Sequence, residues 1–257
     1  MTWSEAERLR PGDLDRRVLT RYAAHVRAQN LRPESVRSYL RSVNVWASWA
    51  ESEGHLQGHA RAVMPKAQRE VIEVLTREEI DRMEAAATTP RDKLIVRVLA
   101  DTGIRVSELV ELRMSDLLVR DGLAYLLVRG KTGERLVGVS KQLHRRLARY
   151  AELGRSGDTG DDSRLFTPLV GSDPLTRSGV ARRVREVGVL AGIRQTVGPH
   201  LLRHSYATWA LRPVARGGLG MNPLMLERVL GHRSLAMIDR HYLHASADDL
   251  HAAMTGG

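Results

Sequence analysis

The first stretch that could do chemistry places an arginine beside a carboxylate. Residues 102–109 read TGIRVSEL, with Arg105 directly after a glycine-containing break and Glu108 three residues later. The break predicts that Arg105 lies at the start of a helix, near its positive end, with Glu108 on the same side. Glu108 could fix the guanidinium of Arg105 for work on an anion. Alternatively, the two residues form an ion pair on the surface.

A second stretch, PHLLRHSYAT, combines histidine and arginine at helical spacing. His200 and Arg203 are three residues apart, so on a helix both point to the same side. An arginine can bind a phosphate through two parallel hydrogen bonds, and a histidine can donate to the phosphate or carry a proton. His204 follows His200 at the spacing of a two-histidine metal site, but no glutamate base or third ligand accompanies the pair. We therefore favour the phosphate interpretation and expect no metal.

Two further residues are ambiguous when each is taken alone. His232 follows the Leu-Gly dipeptide at the end of a predicted helix, and Tyr242 comes ten residues later. A single tyrosine belongs to a protein core far more often than it acts as a nucleophile. Only the combination of these residues with the two arginine-containing stretches indicates a function.

Taken together, the stretches resemble the tyrosine recombinase (phage integrase) family. The resemblance covers about residues 75–245, in the family's order, through TGIRVSEL, RGKTGERLVGVS, PLTRSGV, PHLLRHSYAT and LGHRSLAMIDRHYLH. The earlier stretch SVRSYLRSVNVWASWAESEG is similar to the family's core-binding domain. This resemblance implies a site-specific DNA recombinase that cuts and rejoins strands through a covalent 3′-phosphotyrosine intermediate and a Holliday junction, without a cofactor.

The resemblance implies that Arg105 and Arg203 clamp the reacting phosphate and that Glu108 supports the first arginine. Two guanidinium groups neutralise the non-bridging oxygens and spread the charge of the five-coordinate transition state. A phosphodiester is anionic and resists attack, so this neutralisation is the first requirement of the reaction.

The resemblance implies four further roles, which concern the nucleophile and the protons. Tyr242 would be the nucleophile, and Lys131, in a predicted hairpin, would be the general acid that protonates the leaving 5′ oxygen. His200 and His232 would assist proton transfer and stabilise the phosphorane. General acid catalysis is typically worth about 10²–10⁴-fold. The covalent intermediate conserves the bond energy, so religation needs no ATP.

The elements that must position these residues are mainly helical. We predict a mainly α fold with a small antiparallel β-sheet (α+β), in which two β-branched runs around residues 130–134 form a hairpin. Residues 1–65 would form a helical core-binding domain, residues 66–74 a linker and residues 75–257 the catalytic domain. Helices are expected at about residues 14–30, from 33 and from 76, and at about 91–101, 105–113, 141–152, 176–191, 199–211 and 223–231.

Three local features complete this prediction of the fold. Asp13 is expected to cap the first helix, and the tryptophans Trp46 and Trp49 are expected in the core of the N-terminal domain. Thr76 and Glu79 form a capping-box pattern. Residues 212–223 make the interval from Arg203 to His232 longer than is usual in the family, as a tolerated surface loop or a specificity loop would.

Composition narrows the class of protein. The 257 residues carry a formal net charge of +10, and all but four of the 40 basic residues are arginine. This excess indicates an anionic partner such as nucleic acid, or alternatively a GC-rich genome. The absence of cysteine excludes disulfides, thiolate zinc sites and cysteine nucleophiles. No secretory signal or membrane-length apolar run is present, so we expect a cytoplasmic, bacterial or phage-encoded protein without membrane contact.

The expected partner is a double-stranded DNA recombination site, held in a C-shaped clamp. A homo-tetramer on two sites is expected because each protomer supplies one tyrosine, with an accessory DNA-bending or directionality factor as a further partner. The first helix begins near residue 14, so we expect a simple two-domain type without an arm-binding domain. Three alternatives remain: a type I topoisomerase or hairpin-end resolvase, a catalytically decayed DNA-binding accessory protein, and a metal-dependent nuclease.

Overall fold

The structure, a computed structural model, is mainly helical with one small antiparallel sheet, as the sequence predicts. It describes residues 13, 15–56, 60–65, 73–130, 133–154, 160–169 and 174–231. The chain divides into two compact units, Met1–Ile72 and Glu73–Gly257. The linker at residues 66–74 stays a prediction, because most of it lies outside the described ranges. No helix in the described part of the chain is long and apolar enough to cross a bilayer.

The first unit contains helices α1 (Arg16–Ala28) and α2 (Pro33–Ser52). The cap of α1 is Asp15 and not Asp13, because the carboxylate of Asp15 accepts a hydrogen bond of 2.7 Å from the backbone N–H of Val18, three residues later. Pro33 opens α2 as predicted, since proline is well suited to the first turn of a helix. The core between the helices consists of Leu19, Ala23, Val26, Val36, Leu40, Ala60 and Ala62.

The two tryptophans of α2 do not lie in this core, and the prediction for them was wrong. Trp46 is 38% exposed and Trp49 is 52% exposed. Their neighbours Ala47 and Ala50 are buried instead, together with Leu56. One residue corresponds to a rotation of about 100° on a helix, so the small alanines face inward and the indole rings point away from the core.

The second unit is built around helix α4, which is buried along most of its length. Thr76 caps α3 and forms the predicted capping box with Glu79, through hydrogen bonds of 3.2 Å and 2.9 Å. Pro90, Pro199 and Pro223 begin α4, α8 and α9. In the described part of this unit, the α-helices are α3 (Arg77–Ala86), α4 (Pro90–Thr102), α5 (Val106–Glu111), α6 (Lys141–Arg149), α7 (Arg177–Leu190), α8 (Pro199–Leu211) and α9 (Pro223–Leu230).

The sheet has the order β1 (Leu117–Arg120), β2 (Leu123–Gly130) and β3 (Gly133–Val139), and all pairs are antiparallel. The predicted hairpin is β2–β3, which pairs Gly130 with Gly133 at its end. Strand β1 was missed. Its signal was the dipeptide Asp121-Gly122, whose two positive φ angles of 50° and 73° are typical of a tight hairpin turn.

The connection between α8 and α9 folds back onto the end of α8. The N–H of Gly220 donates to the carbonyl of Arg212 at 2.8 Å, and the N–H of Met221 donates to the carbonyl of Ala210 at 2.7 Å. These bonds satisfy carbonyl groups that the end of a helix leaves without partners. The extra residues of 212–223 therefore form an ordered loop. Its interpretation as a surface loop or a specificity loop stays a prediction.

Candidate active site

The C-terminal end of α9 is the centre of the candidate site. The helix stops at Gly231, which adopts a left-handed conformation with φ 63° and ψ 45°. The last carbonyls of a helix lack intrahelical partners and carry partial negative charge. Here the carbonyls of Val229, Leu230 and Gly231 accept hydrogen bonds from arginine side chains, which are contributed by α8, β3 and the start of α5.

Arg105 lies at the N-cap of α5, as predicted, and reaches both Glu108 and the end of α9. Its Nη1 donates to Oε1 of Glu108 at 3.0 Å and to the carbonyl of Leu230 at 3.2 Å, and its Nη2 donates to the carbonyl of Gly231 at 3.0 Å. The side chain of Glu108 is only 2% exposed, whereas that of Arg105 is 39% exposed. The pair is therefore a buried support for a partly exposed guanidinium and not a surface ion pair.

Arg203 meets Arg105 at a single backbone atom. It is buried on α8, and its Nη2 donates to the carbonyl oxygen of Leu230 at 2.8 Å, the same oxygen that Arg105 contacts. Its Nη1 donates to the carbonyl of Gly103 at 2.5 Å. Gly103 has φ 62°, and a Cβ there would lie 2.3 Å from Cδ1 of Tyr206. Glycine is therefore required at the position that offers this carbonyl to Arg203.

The two histidines of the same stretch have different surroundings. His200 lies one turn before Arg203 on α8 and is exposed, which fits a group that meets a substrate. His204 is buried at the next turn. In the described ranges, no three metal-ligating side chains converge on one point.

Arg135, on β3, belongs to the same cluster and was missed by the sequence analysis. Its Nη1 and Nη2 donate to Oε1 and Oε2 of Glu108 at 2.9 Å and 2.8 Å, and its Nε donates to the carbonyl of Val229 at 2.6 Å. The signal was its presence in RGKTGERLVGVS, the hairpin stretch that carries Lys131. Spacing along a strand cannot show that a side chain reaches a helix end elsewhere in the sequence.

Glu108 is held as a carboxylate by this arrangement. Burial by itself would raise its pKa, but the hydrogen bonds from Arg135 and from the backbone N–H of Arg105 keep the pKa below its usual value. The space beside it is also tight, because a Cβ at Gly130 would lie 2.6 Å from Oε1 of Glu108. A carboxylate that is ionised at neutral pH thus orients two guanidinium groups.

Comparison with known proteins identifies the family. The phage integrase family model matches residues 73–249. Tyrosine recombinase XerA of Thermococcus kodakarensis is 31% identical over 233 residues, which cover 88% of this chain and 76% of that protein. The chain belongs to the phage integrase family. It is thus an enzyme of the tyrosine recombinase type, and the site-specific recombinase function predicted from the motifs is confirmed.

Solved structures of tyrosine recombinases share the fold. The crystal structure of a XerA recombinase has a TM-score of 0.58 at 26% identity and covers 97% of this chain and 85% of that one. The structure of XerH recombinase bound to its difH substrate, in a pre-cleavage complex, has a TM-score of 0.70 at 21% identity, over 94% of this chain and 70% of that one.

Three predicted site residues of this tyrosine recombinase, Lys131, His232 and Tyr242, lie outside the described residues. The described ones, Arg105, Glu108, His200 and Arg203, come from two elements, and the contacts given above join Arg105, Glu108 and Arg203 through α9. In the chain, Lys131 falls between the ends of β2 and β3, and His232 directly follows Gly231. The roles of all seven residues remain predictions.

Proposed function

We propose that this tyrosine recombinase cuts DNA strands with Tyr242 and rejoins them to new partners through a 3′-phosphotyrosine link and a Holliday junction. The observation that supports this most is the shared acceptor of Arg105 and Arg203. Two guanidinium groups that are far apart in the sequence are fixed on the carbonyl oxygen of Leu230 at 3.2 Å and 2.8 Å. Such fixed positive charges suit a single phosphodiester, which carries one negative charge.

The exposed edge of Arg105 would receive the phosphate. Described acceptors take three of the five N–H groups of its guanidinium, and 39% of the side chain is exposed. Because the backbone carbonyls and Glu108 already hold the group in place, little reorganisation is needed as negative charge develops on the phosphate. His200, exposed on the same helix as Arg203, would donate a further hydrogen bond.

The chemical step exchanges one phosphodiester for another. The Oη of Tyr242 attacks phosphorus and forms the phosphotyrosine bond, while the bond from phosphorus to the 5′ oxygen breaks. Lys131 gives its proton to the leaving oxygen, and His232 assists proton transfer by accepting the proton that the phenol of Tyr242 releases. Lysine suits this role because an ammonium group can release its proton, whereas a guanidinium is effectively always protonated. In the reverse reaction, a 5′ hydroxyl of another strand attacks the phosphotyrosine.

Another tyrosine, Tyr206, lies close to the acceptor of Arg203 but is a poor nucleophile. Tyr206 packs against Gly103, whose carbonyl accepts from Arg203. Burial, and to a smaller extent the charge of Asp101, raises the pKa of Tyr206 above its usual value. A raised pKa disfavours the phenolate, so the phenol is less easily activated for attack.

The partners follow from the reaction. We infer that the protein binds duplex DNA at a recombination site, that four protomers assemble on two sites in the cytoplasm, and that an accessory factor bends the DNA or sets the direction. Solved relatives such as XerH are described in complex with DNA substrate, which supports a DNA site as the partner. The formal charge of +10 suits a polyanion.

The test uses the full chain and a duplex that it enriches from a random-sequence library. The duplex is nicked beside the cleavage point, so that cleavage traps the covalent complex. We expect the wild-type chain to form an adduct, Tyr242→Phe to form none, and the matched control Tyr206→Phe to retain adduct formation. An adduct with Tyr242→Phe would overturn the nucleophile assignment.

Strand exchange is tested separately with two copies of the same duplex. Recombinant products and a four-way junction intermediate are expected. Relaxation of supercoiled DNA without any exchange between duplexes would contradict recombination and indicate a topoisomerase.

A further inference from the structure

The guanidinium of Arg135 connects three elements of the site. It extends from β3, binds Glu108 of α5 through both terminal nitrogens, and binds the carbonyl of Val229 in the last turn of α9 through Nε. Arg135 is not among the residues to which the resemblance to the family gives a role. Its contacts are all to protein groups that themselves hold Arg105 or lie next to the carbonyls that hold it.

Arg135 is not arranged to bind a phosphate itself. Its side chain is only 12% exposed, and Nε, Nη1 and Nη2 each donate to a protein acceptor at 2.6–2.9 Å. The planar fork matches both oxygens of Glu108, which is the strong bidentate geometry for an arginine and a carboxylate. Because only 12% of the side chain of Arg135 is exposed, against 39% for Arg105, its described contacts connect it to the reaction through Glu108 and the end of α9.

Glu108 depends on Arg135 for its orientation. Its Oε1 accepts from both Arg135 and Arg105, at 2.9 Å and 3.0 Å, and its Oε2 accepts from Arg135 and from the backbone N–H of Arg105. Without the fork of Arg135, the carboxylate would retain only its contacts within α5. The side chain of Glu108 could then rotate, and it would no longer hold the guanidinium of Arg105 in one orientation.

We propose that Arg135 is a positioning residue for DNA cleavage, which fixes Glu108 and the end of α9 and thereby orients Arg105 toward the phosphate. The inference rests on the proposed function of this site. A displacement of about 1 Å in a catalytic group can lower a rate about 10²-fold. We therefore expect Arg135→Gln to lower the cleavage rate on saturating DNA by about this factor and to leave DNA affinity within about threefold of wild type.

The conservative variant Arg135→Lys separates charge from geometry. An ammonium group can contact one oxygen of Glu108 but cannot bind both oxygens and the carbonyl of Val229 at once. We expect an intermediate rate, about 10-fold below wild type, because the charge is restored and the fork is not.

A matched control is available at a second buried carboxylate. Arg183 donates through Nε and Nη2 to Oδ2 of Asp92 at 3.1 Å and 2.7 Å, away from the contacts described at α9. Arg183→Gln also removes an arginine from a buried carboxylate, and it should lower the melting temperature while it leaves cleavage unchanged. All rates are compared at a temperature where each variant is folded, as shown by its melting curve.

The experiment measures adduct formation on the enriched, nicked duplex for wild type, Arg135→Gln, Arg135→Lys, Glu108→Gln and the double variant Arg135→Gln/Glu108→Gln. Because Arg135 acts in part through Glu108, the defect of the double variant should be smaller than the product of the two single defects. Multiplied defects in the double variant, or a wild-type rate in Arg135→Gln, would overturn the inference only. A wild-type chain that binds the duplex without forming an adduct would contradict the proposed function and the inference with it.

Discussion

Two buried carboxylates of the catalytic unit are each bound by two arginines, with different consequences. Glu108 is bound by Arg105 and Arg135, and Asp92, at the start of α4, is bound by Arg91 and Arg183. Both carboxylate side chains are 2% exposed. In both cases burial would raise the pKa, but the arginine hydrogen bonds hold the pKa below its usual value.

The hydrogen-bonded groups of the Asp92 cluster are neutral overall, and the exposed Arg182 forms a longer ion pair with Glu186 at 3.8 Å. Nη1 of Arg183 donates to Glu186 at 2.6 Å, so two carboxylates face two guanidinium groups. Nη1 of Arg91, a buried residue, donates to the carbonyl of Thr167 at 3.1 Å. Asp92 and Arg183 therefore connect α4 to α7, and Arg91 connects them to the segment near Thr167.

The Glu108 cluster carries an excess of positive charge. Among the described side chains, Glu108 accepts hydrogen bonds from Arg105 and Arg135. Arg203 adds a third guanidinium group, which binds the carbonyl of Leu230. The other described acceptors of these arginines are backbone carbonyls, which carry only partial charge. Comparison of the clusters indicates that a paired carboxylate stabilises a fold, whereas carbonyl acceptors fix arginines without neutralising them. The second arrangement suits an anionic substrate.

The largest expected difference concerns the arginines themselves. Arg105→Gln should lower the rate of DNA cleavage about 10²–10³-fold, because it removes a preorganised donor for the transition state. Arg91→Gln should lower the melting temperature and leave the cleavage rate of the folded protein near that of wild type. Adduct formation and thermal unfolding are measured for both variants. Equal losses of cleavage in the two folded proteins would show that the clusters do not differ in this way.

The next difference concerns the carboxylates. Glu108→Gln and Asp92→Asn should each destabilise the fold by about 3 kcal/mol, because each leaves one largely buried guanidinium group, that of Arg135 or of Arg91, without its counter-charge. Only Glu108→Gln should also slow cleavage. Chemical denaturation gives the free energy of unfolding, and adduct formation by the folded protein gives the rate of DNA cleavage. A wild-type cleavage rate in Glu108→Gln would contradict the supporting role of this carboxylate.

The same variants have an expected pH dependence. The folded-state pKa of each carboxylate is lowered, so its stabilisation is present above the unfolded value of about 4 and is lost as pH falls through the folded value. The free energy of unfolding of wild type should therefore fall in this acidic range. In each variant the fall should be smaller, and an unchanged slope in both would contradict the assignment.

A smaller effect tests the geometry of the Glu108 cluster without removing a charge. A Cβ at Gly130 would lie 2.6 Å from Oε1 of Glu108, whereas a Cβ at Gly138, on β3, would meet nothing within 4 Å. Gly130→Ala should cost about 1–2 kcal/mol of stability and lower cleavage about 10-fold as the carboxylate shifts. Gly138→Ala serves as the control. Identical behaviour of the two variants would mean that the carboxylate moves aside without consequence.

Much of the local structure was predictable from the sequence, because it depends on neighbouring residues. The capping box of Thr76, the proline at the start of α2, and the relation of Arg105 to Glu108 all involve positions within a few residues. The N-cap of α1 is Asp15, two positions after the predicted Asp13. Whether Trp46 or Ala47 is buried depended on which face of α2 packs against the rest of its unit. Such a rotation follows from tertiary packing, which one amphipathic pattern does not specify.

The Glu108 cluster was predictable only in part. Motifs identified Arg105, Glu108 and Arg203, but the shared acceptor is a backbone carbonyl of Leu230, and any residue type provides a carbonyl. Arg135 was missed for the same reason, because one of its acceptors is the backbone carbonyl of Val229. Only its place in RGKTGERLVGVS, the hairpin stretch that carries Lys131, distinguishes Arg135 from Arg183, because both are arginines with a distant buried carboxylate as partner.

The smallest expected effect tests whether excess charge alone is sufficient for a phosphate site. Glu186 is a partly exposed partner of Arg183, so Glu186→Gln should cost less than about 1 kcal/mol. The variant gives the Asp92 cluster a positive excess. We expect no gain in DNA affinity and no change in cleavage, because Arg183 remains bound to Asp92 and Arg91 remains buried. Titration of labelled duplex DNA at two salt concentrations measures the affinity. A clear gain would mean that charge, and not the exposed edge of a fixed guanidinium, distinguishes the clusters.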